Sequence, residues 1–142
     1  MAKDFELKWN DDAFLEIAMK VSVQTMETAA ITVEKDVINS FGTGASRIIK
    51  HRRSKGKKGK FHRPSAPGFP PAVDTNVLRS SVGHDVISKG SIIDGFVGIA
   101  SMVKYGLFLE LGTRIMKPRP FLRPALKRNH DRINQIFKKA FS

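Results

Sequence analysis

Between Arg47 and Arg63 the chain carries nine Lys and Arg in 17 residues with no acid, and Pro64 to Ala72 then holds four of its seven prolines. Neither piece can build a core. Repelling cations interrupted by Ser54, Gly56 and Gly59 bury too little apolar surface to offset the entropy of ordering them. Proline in turn withholds the amide that a helix interior or a central strand needs. The spacing predicts two short extended arms around a flexible cationic tip, followed by a stiff, extended connector, together residues 41–73. A bound recognition module is the sharper alternative to a plain connector for the Pro-rich piece.

The charge of this segment is part of a gradient. Residues 1 to 46 hold four bases and eight acids, and residues 64 to 142 hold twelve bases and five acids, so an acidic first third precedes two basic blocks within a net charge of +12. Such a field favours acidic proteins or nucleic acid as neighbours. With 142 residues the length fits one domain, residues 1–142, able to remove roughly 70% of its unfolded surface from water. The absence of cysteine excludes a disulfide framework, a thiolate metal site and a cysteine nucleophile. Acids among the first residues do not fit a signal peptide, and Ile92 to Val103, interrupted by Asp94, is far shorter than the roughly 20 residues of a membrane span. No membrane association is expected.

Ahead of the cationic segment, Asn10, Asp11 and Asp12 are helix N-cap candidates, and Phe14, Ile17, Ala18, Val21, Thr25, Ala29, Val33 and Val37 follow at steps of three or four. This predicts one long amphipathic helix stopped by Gly42 and Gly44, its stripe serving core packing or an oligomer contact. Beyond the connector, Asp74 or Thr75 can cap a short helix through Val77, Leu78 and Ser81. Strands over Val82 to Ser88 and Ile92 to Ala100 flank the turn Lys89-Gly90-Ser91. The second strand alternates imperfectly, as expected of a strand packed on both faces or lying between protomers. A short apolar helix ends at Gly112, residues 114–124 form an extended arm, and Pro124 opens a terminal helix carrying Leu126, Ile133, Ile136, Phe137 and Phe141. This element order can accommodate an α+β fold, with long N-terminal and C-terminal helices on a small antiparallel sheet and an extended basic hairpin, which is also the fold implied by the resemblance given below.

Catalytic patterns are missing. His51, His62, His84 and His130 lack metal-ligand spacing, Gly42-Thr43-Gly44 does not continue into a phosphate loop, and no nucleophile elbow is present. Asp74, Asp85, Asp94 and Glu110 show no paired spacing for acid-base work. No enzymatic activity and no cofactor is expected. Glu110, between Leu109 and Leu111, is the acid inside an apolar segment, and a buried carboxylate needs a partner, predicted to be Arg114, Arg119 or Arg123 of the same chain or of a neighbouring one.

Two strings carry a resemblance. Tyr105-Gly106-x-x-Leu109-Glu110-x-Gly112-Thr113 with Pro118-Arg119-Pro120-Phe121-Leu122-Arg123-Pro124-Ala125-Leu126 resembles the signature of the small neck and tail-completion proteins of long-tailed bacteriophages. Ser65-Ala66-Pro67-Gly68-x-Pro70-Pro71-Ala72-x-Asp74-Thr75-x-x-Leu78-Arg79-x-Ser81 resembles that family's connector into its short helix. Asn76 stands where Gly is commoner and Phe69 where an acid is commoner, which bears on local turn geometry.

The resemblance implies a structural virion protein at the head-tail junction, made in the host cytoplasm. It would form a homo-oligomeric ring, of hexamer or dodecamer type, that lets double-stranded DNA pass and touches head-connector and tail-terminator or tail-tube proteins. On that reading Arg47, Lys50, Arg52, Arg53, Lys55, Lys57, Lys58, Lys60 and Arg63 would meet DNA or an acidic partner. Tyr105, Glu110, Arg119, Phe121, Leu122 and Arg123 would form the oligomer interface, with Phe121 as apolar anchor or, alternatively, as core, and the two arginines as bidentate partners of carboxylates. The rival function is non-sequence-specific nucleic-acid binding, supported by the charge but lacking an aromatic-interleaved surface.

Overall fold

A computed structural model describes residues 11–44, 49–50, 61–62, 65–73 and 76–142. The order is α1 (Asp11–Ser40), β1 (Ile49–Lys50), β2 (Phe61–His62), α2 (Val77–Ser80), β3 (Val82–Lys89), β4 (Ile92–Ile99), α3 (Tyr105–Leu111) and α4 (Leu122–Ala140). The fold is α+β, with α1 packed against both long strands and against α4.

Helix α1 runs for 30 residues, about 45 Å at 1.5 Å per residue, and stops before Gly42 as its spacing predicts. The stripe is core only in its second half. Thr25, Ala29, Val33 and Val37 are buried, whereas no residue from Asp12 to Gln24 is, and Phe14 and Ile17 stand 61% and 64% exposed. The core gathers Val33, Val37 and Phe41 with Leu78, Val82, Val103, Phe121 and Ala125. At its centre the rings of Phe41 and Phe121 lie 5.2 Å apart, tilted by 43°, a favourable edge-inclined aromatic pair.

The sheet is two antiparallel pairs. Strands β3 and β4 run in register from Val82 opposite Ile99 to Lys89 opposite Ile92, which leaves Gly90-Ser91 as a two-residue turn. Their inner face, through Val82, Val97 and Ile99, meets the core, but Ile92 and Phe96 are exposed. Strand β4 is thus covered on one face within the chain, which removes the first of the two expectations, packing on both faces by the chain itself. Arms β1 and β2 pair as predicted, Ile49 with His62 and Lys50 with Phe61, while the tip between them lies outside the described residues.

The connector runs back along the end of α1. Its main chain is held by bonds from Gly42 N–H to the Pro71 carbonyl (3.0 Å), from Ala66 N–H to that of Gly44 (3.1 Å) and from Gly68 N–H to that of Pro118 (2.9 Å). Neither predicted cap of α2 can be placed, since Asp74 and Thr75 lie outside the described residues. Asn76 occupies the N-cap position, in the left-handed region at φ 62° and with no side-chain cap bond. Of non-glycine residues, Asn and Asp enter that region most readily.

Candidate functional site

The two halves of the sequence signature meet at the junction of α3 with the start of α4. Gly106, at the buried side of α3, touches β4 and α2 so closely that a Cβ there would collide with Ile99 and come within 3.0 Å of Leu78. Gly112 ends α3 at φ 79°, and a Cβ would lie 2.9 Å from the Met116 carbonyl oxygen. Only glycine fits both demands. Past it, the arm folds back, Arg119 N–H donating to the Leu109 carbonyl at 2.7 Å.

That return carries the chain to Glu110, whose side chain is buried as expected but with a different partner. Its Oε2 accepts from Phe121 N–H (2.7 Å) and Leu122 N–H (3.0 Å), and its Oε1 from Arg123 N–H (3.0 Å). These are amides that a helix start leaves without intrahelical acceptors. Glu110 therefore caps α4 from α3, with its negative charge at the positive end of the helix dipole. The predicted ion pair with Arg114, Arg119 or Arg123 is corrected as far as the same chain goes: Arg123 contributes its main chain, and Arg119 Nε is buried with no hydrogen-bond partner.

Other predicted interface residues divide. Phe121 is fully buried against Phe41 in its own chain, so the structure assigns it to the core and corrects its reading as an anchor in a neighbour. Leu122 packs partly buried on the same cluster. Tyr105 and Arg123 are exposed. An arginine–carboxylate pair is made by a residue not singled out for it: Arg128 donates through Nε (3.1 Å) and Nη2 (2.8 Å) to the one oxygen Oδ2 of Asp36, which also accepts from Asn129 Nδ2 at 2.9 Å. This cluster ties α4 to α1.

Of the predicted phosphate or acidic-partner contacts, Lys50 lies on β1, and Arg47, Arg52, Arg53, Lys55, Lys57, Lys58, Lys60 and Arg63 lie outside the described residues. His84 Nδ1 meets the Glu34 carboxylate between β3 and α1, and His130 is exposed beside Asp131. No group of three or more potential metal ligands occurs among the described residues, nor is any helix there long and apolar enough to cross a membrane.

One apolar feature is open. A groove of about 480 Å³ runs between α1, β4 and α4, with Ala29, Ala30 and Val33 as its floor and Phe96, Leu126 and Phe137 along its sides. Leu126 is 57% and Phe96 52% exposed. Periodicity marked Leu126 and Phe137 as the apolar side of the terminal helix, but which turns find a cover within the chain is a tertiary matter.

No family model, curated protein or solved structure matches this chain.

Proposed function

We propose that the protein is a structural component of a phage head-tail junction, assembling as a ring that joins a tail to a DNA-filled head and lets DNA pass. The observation that carries this reading is how the signature residues are used. Gly106, Glu110, Gly112 and Phe121 are all engaged in holding α3, the arm and α4 together, and none presents a reactive group to solvent. Such a motif specifies a shape. The surface includes exposed apolar side chains on α1, β4, α3 and α4 and cations on α4, which suits contacts with other proteins and with phosphate more than turnover of a small molecule.

Asn76 supports the family resemblance from another side. The position at which that family more often has glycine is here in the left-handed region, the conformation that glycine adopts most easily.

The test is genetic. In the phage or prophage that encodes this chain, an in-frame deletion should leave DNA-filled heads and finished tails that do not join, with joining restored by the purified protein. Intact particles without it would refute the proposal. Free protein that coats DNA along its length, with normal particles in its absence, would favour the nucleic-acid-binding reading instead.

A further inference from the structure

We propose that the β3–β4 hairpins of neighbouring copies pair edge to edge, β4 of one copy bonding antiparallel to β3 of the next. The pairing deepens the ring reading above and rests on it for the requirement that copies join. A two-stranded sheet has two edges, and each offers a row of main-chain groups that another strand can take up. The phase of the ladder says which groups these are. Ala100 N–H donates to the Ser81 carbonyl at 2.9 Å, and the register continues directly into Val82 opposite Ile99. Every second pair in such a ladder exchanges bonds. His84, Val86 and Ser88 therefore turn their main-chain N–H and C=O groups away from β4, and Ile93, Gly95 and Val97 turn theirs away from β3. Among the described residues no other main-chain group bonds to them, and both strands run for eight residues with neither a proline nor a bulge to blunt the edge.

Direction and side chains both select a second copy as the added strand. Copies carried round one axis keep one orientation, so the β4 edge of each meets the β3 edge of the next, and these two strands run opposite ways as they do inside the hairpin. Keeping the outer faces together and the free main-chain groups opposite one another allows only registers two residues apart. One of them sets Asp94 opposite Lys89 of the next copy, Phe96 opposite its Ile87 and Val97 opposite its Val86. A step either way sets Phe96 against Asp85 or against Lys89 instead. Opposite charges and apolar partners across a strand pair are the favourable combination. Asp94, Phe96, Ile87 and Lys89 are all exposed in the single chain, and neither Asp94 nor Lys89 is in an ion pair with a described residue. Repeated round a closed ring, the pairing leaves no strand edge free.

The chain has no cysteine, so engineered disulfides report the contact without background. In this register Phe96 and Ile87 of the next copy are a non-hydrogen-bonded pair, with Cα atoms about 4.5 Å apart and within reach of a disulfide. Purified Phe96→Cys and Ile87→Cys variants are oxidised separately and as an equimolar mixture. Glu27→Cys, exposed on α1, replaces Ile87→Cys in the control mixture. The contact is expected to give a mixed disulfide dimer at least tenfold above the control. Asp94→Lys added to the Phe96→Cys chain should lower that yield several-fold, and Lys89→Asp added to the Ile87→Cys chain should restore it. Equal cross-linking by each variant alone, or no mixed dimer at several hundred micromolar, overturns the proposal.

Two measurements on the unaltered protein are run beside this. Residue-resolved amide exchange at Val86, Ser88, Gly95 and Val97 is expected to slow at least tenfold between a few micromolar and several hundred micromolar, and unchanged exchange there overturns edge pairing. Amine cross-linking is expected to give a ladder beyond the dimer, and a stop at the dimer overturns the repeating β4-to-β3 arrangement. A ladder without the mixed disulfide overturns this contact and leaves the ring reading standing, while that reading is decided separately by the particle-joining experiment.

Discussion

Glu110 shows how one carboxylate can stand in for a local cap. Phe121, at the N-cap position of α4, has no side-chain oxygen to offer, and the three amides at the start of the helix turn to a residue eleven positions earlier. Hydrogen bonds to a charged group contribute about 1.5–3 kcal/mol. Glu110→Ala, which removes every acceptor, is expected to destabilise the chain by about 3 kcal/mol in urea unfolding. Glu110→Gln keeps one carbonyl oxygen and should cost clearly less; equal costs for the two variants would show that a neutral carbonyl oxygen at this place contributes nothing. Phe121→Ala removes the centre of the core, for a loss of about 3–5 kcal/mol. Cross-linking of the fraction still folded should be unchanged, because the ring touches Phe41 within its own chain. Loss of assembly at full stability would contradict its placement in the core.

At the scale of elements, α1 is one helix with two fates. Its second half is clamped by β3, β4 and α4, and its first half has no buried residue. Amide exchange in dilute protein should therefore be fast from residue 12 to about residue 20 and slow from residue 25 to residue 40, since protection follows buried packing. Uniform protection in a verified monomer would contradict this division. The Asp36 cluster is the polar link between α1 and α4, but its carboxylate is one-third exposed and Arg128 is nearly half exposed. Asp36→Ala should cost only about 1 kcal/mol in the same unfolding measurement.

Much of this arrangement is legible in the residues. The three- and four-step period of α1, the turn at Gly90-Ser91 and Pro124 in the first turn of α4 each mark an element by local chemistry. Periodicity cannot say where a stripe loses its cover, because that depends on how far β3, β4 and α4 extend along α1. The partner of Glu110 is illegible for a related reason. Every residue but proline owns a main-chain N–H, so no letter marks the three amides that meet the carboxylate, and nearby arginines are the only partners a sequence displays.

For the whole molecule, the +12 charge resolves into distinct surfaces. Lys138 and Lys139 in the last turn of α4 favour the helix dipole, and Arg128 is held by Asp36, while Arg123 borders the open groove and Lys127 lies with Pro118 and Pro120 around a separate hollow. On the proposed function the cationic hairpin would meet outside partners. Replacing Lys55, Lys57, Lys58 and Lys60 together by Ser should reduce the dependence of log K on log salt for duplex DNA by about 3–4, from a slope of about 0.9 per phosphate contact. An unchanged slope combined with failed head-tail joining would assign the hairpin to a neighbouring protein.

The Phe41–Phe121 pair also sets a clock on synthesis. Helix α1 emerges from the ribosome first, but Leu78, Val82, Val103, Phe121 and Ala125, which enclose its apolar residues, arrive between 37 and 84 residues after Phe41. A nascent chain halted before residue 121 has Val33, Val37 and Phe41 without their covering ring, and contacts of such separation form slowly. Helix α1 then has the β3–β4 hairpin to pack against but lacks Phe121, Ala125 and the rest of α4, so the second half of α1 stays open on the α4 side until the last helix has been made.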